Sequence, residues 1–187
     1  MRKSLGAKPY IYPMPVLIIA TYDENGVPDA MNAAWGMVCD MNKVAITLSA
    51  DHKTVKNILT TGAFTVSMAD VDSVVSSDYV GIVSGNDTPD KMERSGFTLT
   101  KSENVYAPII NELPLALECE LEVYDTETEI LIGEIKNVSV DDRIMTDSKI
   151  DMSKFKPITY DGANHNYIAL GEIVGKAFSD GKRRQLF

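Results

Sequence analysis

The chain lacks most of what several function classes require. It has two cysteines in 187 residues, Cys39 and Cys119, far apart in sequence. That is no disulfide framework, and no CxxC or histidine-rich spacing offers a metal site. Free thiols fit a reducing compartment, so a cytoplasmic protein is expected. No apolar run reaches the roughly 18–20 residues that cross a membrane as a helix, so no membrane contact is expected. Basic residues are in the minority: 18 Lys and Arg stand against 27 Asp and Glu, for a formal net charge of −9. An acidic chain without a basic run is a poor binder of nucleic acid and of anionic lipid. There is no GxGxxG after a strand and no regular alternation of strands with helices, which disfavours a Rossmann domain. No internal repeat or low-complexity segment is present.

What remains can bury a core. Hydrophobic residues make up 44% of the chain, and the length fits a single domain over residues 1–187. Residues 1–14 hold Arg2, Lys3, Pro9 and Pro13 and read as an extended arm, not a signal peptide. Residues 16–22 are apolar and β-branched. Asp23-Glu24-Asn25-Gly26 is a strong turn signal that pairs them with a second strand. Asp40-Met41-Asn42 breaks the chain before a third strand at 43–48. Three strands joined by short turns suggest an antiparallel meander.

A short helix over 53–60, stopped by Gly62, precedes a strand at 63–68. Residues 70–81 have apolar side chains at helical spacing, and 89–94 hold one or two helical turns. Residues 97–112 give no clear period, although Tyr106-Ala107-Pro108 argues for extended chain. Residues 115–125 and 130–140 form a second hairpin. In its first strand Leu115, Leu117, Cys119, Leu121 and Val123 face one way. Glu118, Glu120 and Glu122 face the other, on an outer solvated face. Residues 141–156 are a polar excursion. Residues 167–178 read as a last strand bent at Gly171 and Gly175. The expected fold class is mainly β: six or seven antiparallel strands in a closed or nearly closed barrel with helical excursions, because closure removes exposed edges.

The most informative stretch runs from residue 29 to residue 59. Its first strand carries the small residues Asn32, Ala33 and Ala34, which let a flat ligand or another backbone come close. Its second strand empties into Ser49-Ala50-Asp51-His52-Lys53-Thr54, and a helix begins there. Free backbone N–H groups and the positive end of the helix dipole make such a loop an anion site. Lys53 adds a full charge, and Ser49 and Thr54 add hydroxyl donors. The local expectation is a phosphate held over 49–54 and a flat ring over 32–35. Each residue also has a plainer reading. Trp35 is a core residue, Lys53 a solvated helix-start lysine, Ser49 and Thr54 helix caps. Cys39 is either a reactive thiol or a small core residue.

Taken together, the motifs carry a family resemblance. Pro13-Met14-Pro15-Val16, the strand Asn32-Ala33-Ala34-Trp35-Gly36-Met37-Val38-Cys39, and His52-Lys53-Thr54 with Lys56-Asn57-Ile58 follow one another. Next come Gly62-Ala63-Phe64-Thr65-Val66-Ser67, then Ser84-Gly85, Asp90-Lys91 and Gly96-Phe97. Tyr167-Ile168-Ala169-Leu170-Gly171-Glu172 completes the series. Their order and spacing resemble the flavin reductase-like family, whose fold is the FMN-binding split β-barrel, and its flavoredoxin branch in particular.

The resemblance implies FMN bound non-covalently at a homodimer interface. It implies electron transfer, with NADH or NADPH as donor and a small molecule or a protein as acceptor. It assigns the phosphate to Ser49, Ala50, Lys53 and Thr54, and the isoalloxazine ring to Asn32, Ala33 and Ala34, with Trp35 near it. The family often has Arg where Lys53 stands; Lys keeps the charge and loses the bidentate fork. His165 is placed either near the nicotinamide or flavin edge or on a surface loop. No acid, base or nucleophile is required beyond the cofactor, which carries the redox chemistry. Three functions are left standing: an NAD(P)H-dependent reductase of flavin, of a ferric complex or of a partner protein; a flavoredoxin-type electron carrier; and a split-barrel module for haem or another planar ligand.

Overall fold

The computed structural model describes residues 1–184. β1 (Leu17–Tyr22) and β2 (Pro28–Ala33) pair antiparallel, from Leu17↔Ala33 to Tyr22↔Pro28. Their turn is local chemistry: Gly26 takes φ +79°, and the Asp23 carboxylate accepts from the N–H groups of Asn25 and Val27 at 2.9 and 2.8 Å. A break at Ala34-Trp35 separates β2 from β3 (Gly36–Asp40), which pairs with β4 (Lys43–Thr47). Then come α1 (Lys53–Thr61), β5 (Ala63–Met68), α2 (Val74–Ile82) and α3 (Lys91–Ser95). β6 (Leu99–Lys101) and β7 (Pro108–Ile110) form a small hairpin over the stretch that has no clear period. The long hairpin of β8 (Leu115–Asp125) and β9 (Ile130–Val140) falls where alternation places it.

Seven strands form one antiparallel sheet in the order β2-β1-β5-β8-β9-β4-β3. The expected meander is therefore not what forms. β2 and β3 follow each other in the chain yet lie at opposite edges of the sheet. Only two residues separate them, and three Cα steps of 3.8 Å span at most about 11 Å. The sheet must curl until its edges meet at Ala34-Trp35. That corner makes the barrel, and it stays split because β2 and β3 do not pair.

Both faces of β1 are buried, as in a strand covered on two sides. Leu17 and Ile19 point into the barrel with Val44, Ile46, Val55, Ile58, Phe64 and Leu131. Ile18 and Ala20 point outward to Val80, Met92, Phe97, Ile110 and Ile158. Phe64 fills the barrel only because residue 133 is glycine: a Cβ there would collide with its ring.

Three expectations are corrected. Glu118 is not on a solvated face, although Glu120 and Glu122 are exposed. The residue is 1% exposed, and its carboxylate accepts from Ser102, from Asn104 at 2.9 Å and from Asn137 at 2.7 Å. The loop at 102–107 covers that face, which strand alternation cannot reveal. Cys39 is exposed, since β3 is an edge strand, and Cys119 is buried. The last strand is short. After the small pair β10 (Met145–Thr146) and β11 (Lys149–Ile150), β12 (Ile158–Asp161) pairs with β13 (Asn166–Ala169). β12 begins just after Pro157, which has no N–H to offer, so β13 stops at Ala169 and residues 170–175 form no strand.

Candidate functional site

The end of β2 lines a cleft of about 410 Å³ through Asn32, Ala33 and Ala34. α2 and the β12–β13 hairpin supply the opposite walls, with Asp78, Tyr160, His165 and Tyr167. α2 lies close because residue 81 is glycine; a Cβ there would stand 2.8 Å from the Cβ of Asn32. Asn32 Nδ2 donates to the Ser77 carbonyl at 3.2 Å and reaches the Tyr167 hydroxyl at 3.5 Å. Tyr167 donates to Asp78 Oδ1 at 2.7 Å. Burial and the Asp78 carboxylate push the Tyr167 phenol up to about 12, so it stays protonated. Tyr160 Oη and His165 Nδ1 lie 2.7 Å apart. Two alanines facing two tyrosines make a slot suited to a flat ring.

Trp35 is neither a core residue nor a wall of this cleft. It is 59% exposed and lines a separate apolar groove of about 680 Å³, between the N-terminal arm and β3–β4. His165 stands in the β12–β13 turn at φ +58°, exposed, on the rim of the cleft. It is a loop histidine that borders the slot.

The expected phosphate loop divides into two halves. In the second half, α1 starts at Lys53 with no side-chain cap and no acidic residue in its first turn. Its first N–H groups are therefore left for another acceptor. Thr54 does not cap them; its hydroxyl donates to Asp29 Oδ2 at 2.5 Å. Asp29 Oδ1 lies 3.5 Å from Lys91 Nζ, and both side chains are buried. Burial pulls the Lys91 ammonium down, Asp29 holds it up, and nearby Lys53 pulls it further down. Two lysines against one carboxylate leave one positive charge at the start of α1. Gly85 is also part of this corner, since a Cβ there would collide with the Asp29 carboxylate and press on Lys53. Asn86 Nδ2 donates to the Asp51 carbonyl at 3.2 Å and ties the 84–86 loop to the same place.

The first half faces elsewhere. Ser49 Oγ donates to Glu129 Oε1 at 2.9 Å, and the Ala50 N–H donates to the same oxygen at 3.2 Å. These two predicted phosphate donors are occupied by the chain's own carboxylate. The physical reason is the β8–β9 turn, which brings Glu129 over the loop. The sequence also left Asp29, Lys91 and Gly85 without a role, although Ser84-Gly85 and Asp90-Lys91 stand in the family's middle segment. Among the described residues no three metal-binding side chains converge.

The cleft and the cationic corner share one strand. Asn32 lies three residues beyond Asp29 along β2, about 10 Å at strand spacing. The flavin reductase like domain profile matches residues 10–164. The chain belongs to the flavin reductase-like family. The structure superposes on flavoredoxin of Desulfovibrio vulgaris (Miyazaki F) with a TM-score of 0.92, at 37% identity, covering 97% of this chain and 100% of that one. It superposes on a flavoredoxin of Methanosarcina acetivorans at 0.88 and 26% identity, over 98% and 99% of the two chains. Nitrilotriacetate monooxygenase component B of Bacillus cereus, at 0.79 and 21% identity over 93% and 100%, shares the fold. A protein of Aeropyrum pernix is 27% identical over 157 residues; the match takes in 81% of this chain and 59% of that protein's length. The family's split barrel is the fold seen here. No helix among the described residues is long and apolar enough to cross a membrane.

Proposed function

We propose that the protein is an FMN-binding oxidoreductase that takes hydride from NADH or NADPH and passes electrons to flavin, a ferric complex or a partner protein. One observation carries this reading: β2 borders a ring-shaped slot at one end and a two-lysine helix start at the other. A flat ring, a five-carbon chain and one phosphate match that layout. Asn32, Ala33 and Ala34 would border the ring. Lys53 and the first N–H groups of α1 would hold the phosphate, with Lys91 adding charge from behind. Asp29 positions Lys91 and Thr54 and so fixes the corner. When bound, FMN supplies the hydride and electron chemistry, and the protein supplies binding, orientation and shielding from water.

The apolar surface at Trp35, Met37 and Val38 supports a homodimer, because these side chains are exposed in the single chain. A monomer by light scattering contradicts that part. The exposed thiol of Cys39 fits a cytoplasmic protein. Anaerobic stopped flow tests the donor: NADH or NADPH is expected to bleach bound FMN within seconds. A second reading is a flavoredoxin-type electron carrier, favoured by the likeness to the two flavoredoxins. Fast reduction by a protein donor, with neither nucleotide effective, selects it.

A further inference from the structure

Asp78 supplies the only carboxylate among the described residues that line the cleft. It stands on α2 and is half-buried. Its two oxygens are not equivalent. Oδ1 accepts from the Tyr167 hydroxyl at 2.7 Å, while Oδ2 has no hydrogen-bond partner among the described residues. No described Lys or Arg side chain lies within salt-bridge distance of either oxygen. The neighbouring donors are committed elsewhere. Asn32 Nδ2 donates to the Ser77 carbonyl at 3.2 Å and reaches the Tyr167 hydroxyl at 3.5 Å. Burial and the Asp78 carboxylate push the Tyr167 phenol up to about 12, so its single proton stays on the bond to Oδ1. Tyr160 and His165 hydrogen-bond each other. The polar side of the slot therefore presents one open, charged acceptor, held in place through its other oxygen.

We propose that Asp78 is a specificity-determining residue: Oδ2 accepts a hydrogen bond from an amide-type N–H on the edge of a flat ligand in the cleft, and refuses a carboxylate there. This inference rests on the reading of the cleft as a ring slot. The imide N–H of a flavin ring and the carboxamide of a nicotinamide both present that chemistry. A hydrogen bond to an ionised acceptor is stronger than one between neutral groups. A ligand carboxylate at the same place brings like charges together and offers no proton. A site built around a hydrogen bond discriminates sharply against the analogue that lacks it. Tyr167 is the positioning residue, since it ties up Oδ1 and leaves Oδ2 to the ligand.

The test is a set of titrations on the full chain, followed by fluorescence quenching, with two ligand pairs. 3-Methylriboflavin carries a methyl group in place of the imide proton of riboflavin. Nicotinic acid adenine dinucleotide carries a carboxylate in place of the carboxamide of NAD+. The wild type is expected to prefer the N–H member of at least one pair by roughly tenfold, and the pair that shows the preference identifies the source. Asp78→Asn keeps an oxygen for Tyr167 and turns the other end into a donor. It is expected to erase that preference, and Asp78→Ala, which removes both oxygens, is expected to erase it as well. A wild type that binds both members of each pair equally overturns the proposal. A preference that survives in either variant overturns it too, even where both members lose affinity together, because another group then reads the edge. A wild type that binds neither riboflavin nor NAD+ instead brings down the ring-slot reading itself.

Discussion

Asp29 does two things with one carboxylate. It accepts from Thr54 and it faces Lys91, so β2, α1 and α3 meet on one buried charge. Lys53 is different, since no carboxylate within salt-bridge distance balances it among the described residues. Lys53→Ala is therefore expected to weaken FMN about tenfold or more and leave riboflavin affinity unchanged. The folding midpoint should not move. Equal FMN affinity in calorimetric titration removes Lys53 from the site. Glu118 makes the opposite case, a charge with every partner supplied. Burial pushes its carboxyl up, yet hydrogen bonds from Ser102, Asn104 and Asn137 win and hold it below the usual range. Glu118→Ala strands those buried donors and is expected to cost about 3 kcal/mol in urea unfolding. An unchanged urea midpoint contradicts this.

At the scale of elements, the sequence shows most where one period governs one strand. β5, β8 and β9 occupy the stretches that alternation and β-branching mark, although register shifts at Glu118/Cys119 and Leu121/Val123 break the period of β8 and Val123 is exposed, and α1 ends at Gly62 in the left-handed conformation. It shows least where a partner decides. β13 stops because β12 is short, Glu118 is buried because a loop lies over it, and β2 and β3 separate because the sheet curls. The site follows the same division. The place of Asn32, Ala33 and Ala34 on a small-residue strand end and of Lys53 at a helix start was legible from residue type. Glu129 taking the donors of Ser49 and Ala50 was not, because it arrives from a hairpin 80 positions away. The packing of α2 on β2 depends on Gly81 in the same non-local manner. Gly81→Val is expected to push α2 off Asn32 and reduce FMN and riboflavin affinity alike. A loss confined to FMN would place the ring elsewhere.

At the scale of the whole molecule, the N-terminal arm is tied to the β12–β13 hairpin through a carboxylate. The Asp161 carboxylate accepts from Tyr12 Oη at 2.5 Å and from Asn164 Nδ2 at 2.7 Å. Hydrogen bonding from Tyr12 first, then Asn164, holds its carboxyl down at about 2, against an ordinary 3.8. A lowered folded-state value means stability that is fully present above the ordinary value and lost as pH falls toward 2. The unfolding free energy should therefore fall between pH 4 and pH 2, and more gently in Asp161→Asn. Identical slopes in the two proteins contradict the tie. The arm also walls the apolar groove beside Trp35, so its tether and the exposed apolar surface belong to one region.

All of this turns on a flavin seated along β2. The most direct measurement is the absorption spectrum of the freshly purified protein, before and after denaturation. Flavin bands that leave as free FMN on denaturation are the predicted result. A colourless protein that takes up no added FMN would contradict the account and make the stretch from residue 32 to residue 54 an ordinary segment of the barrel.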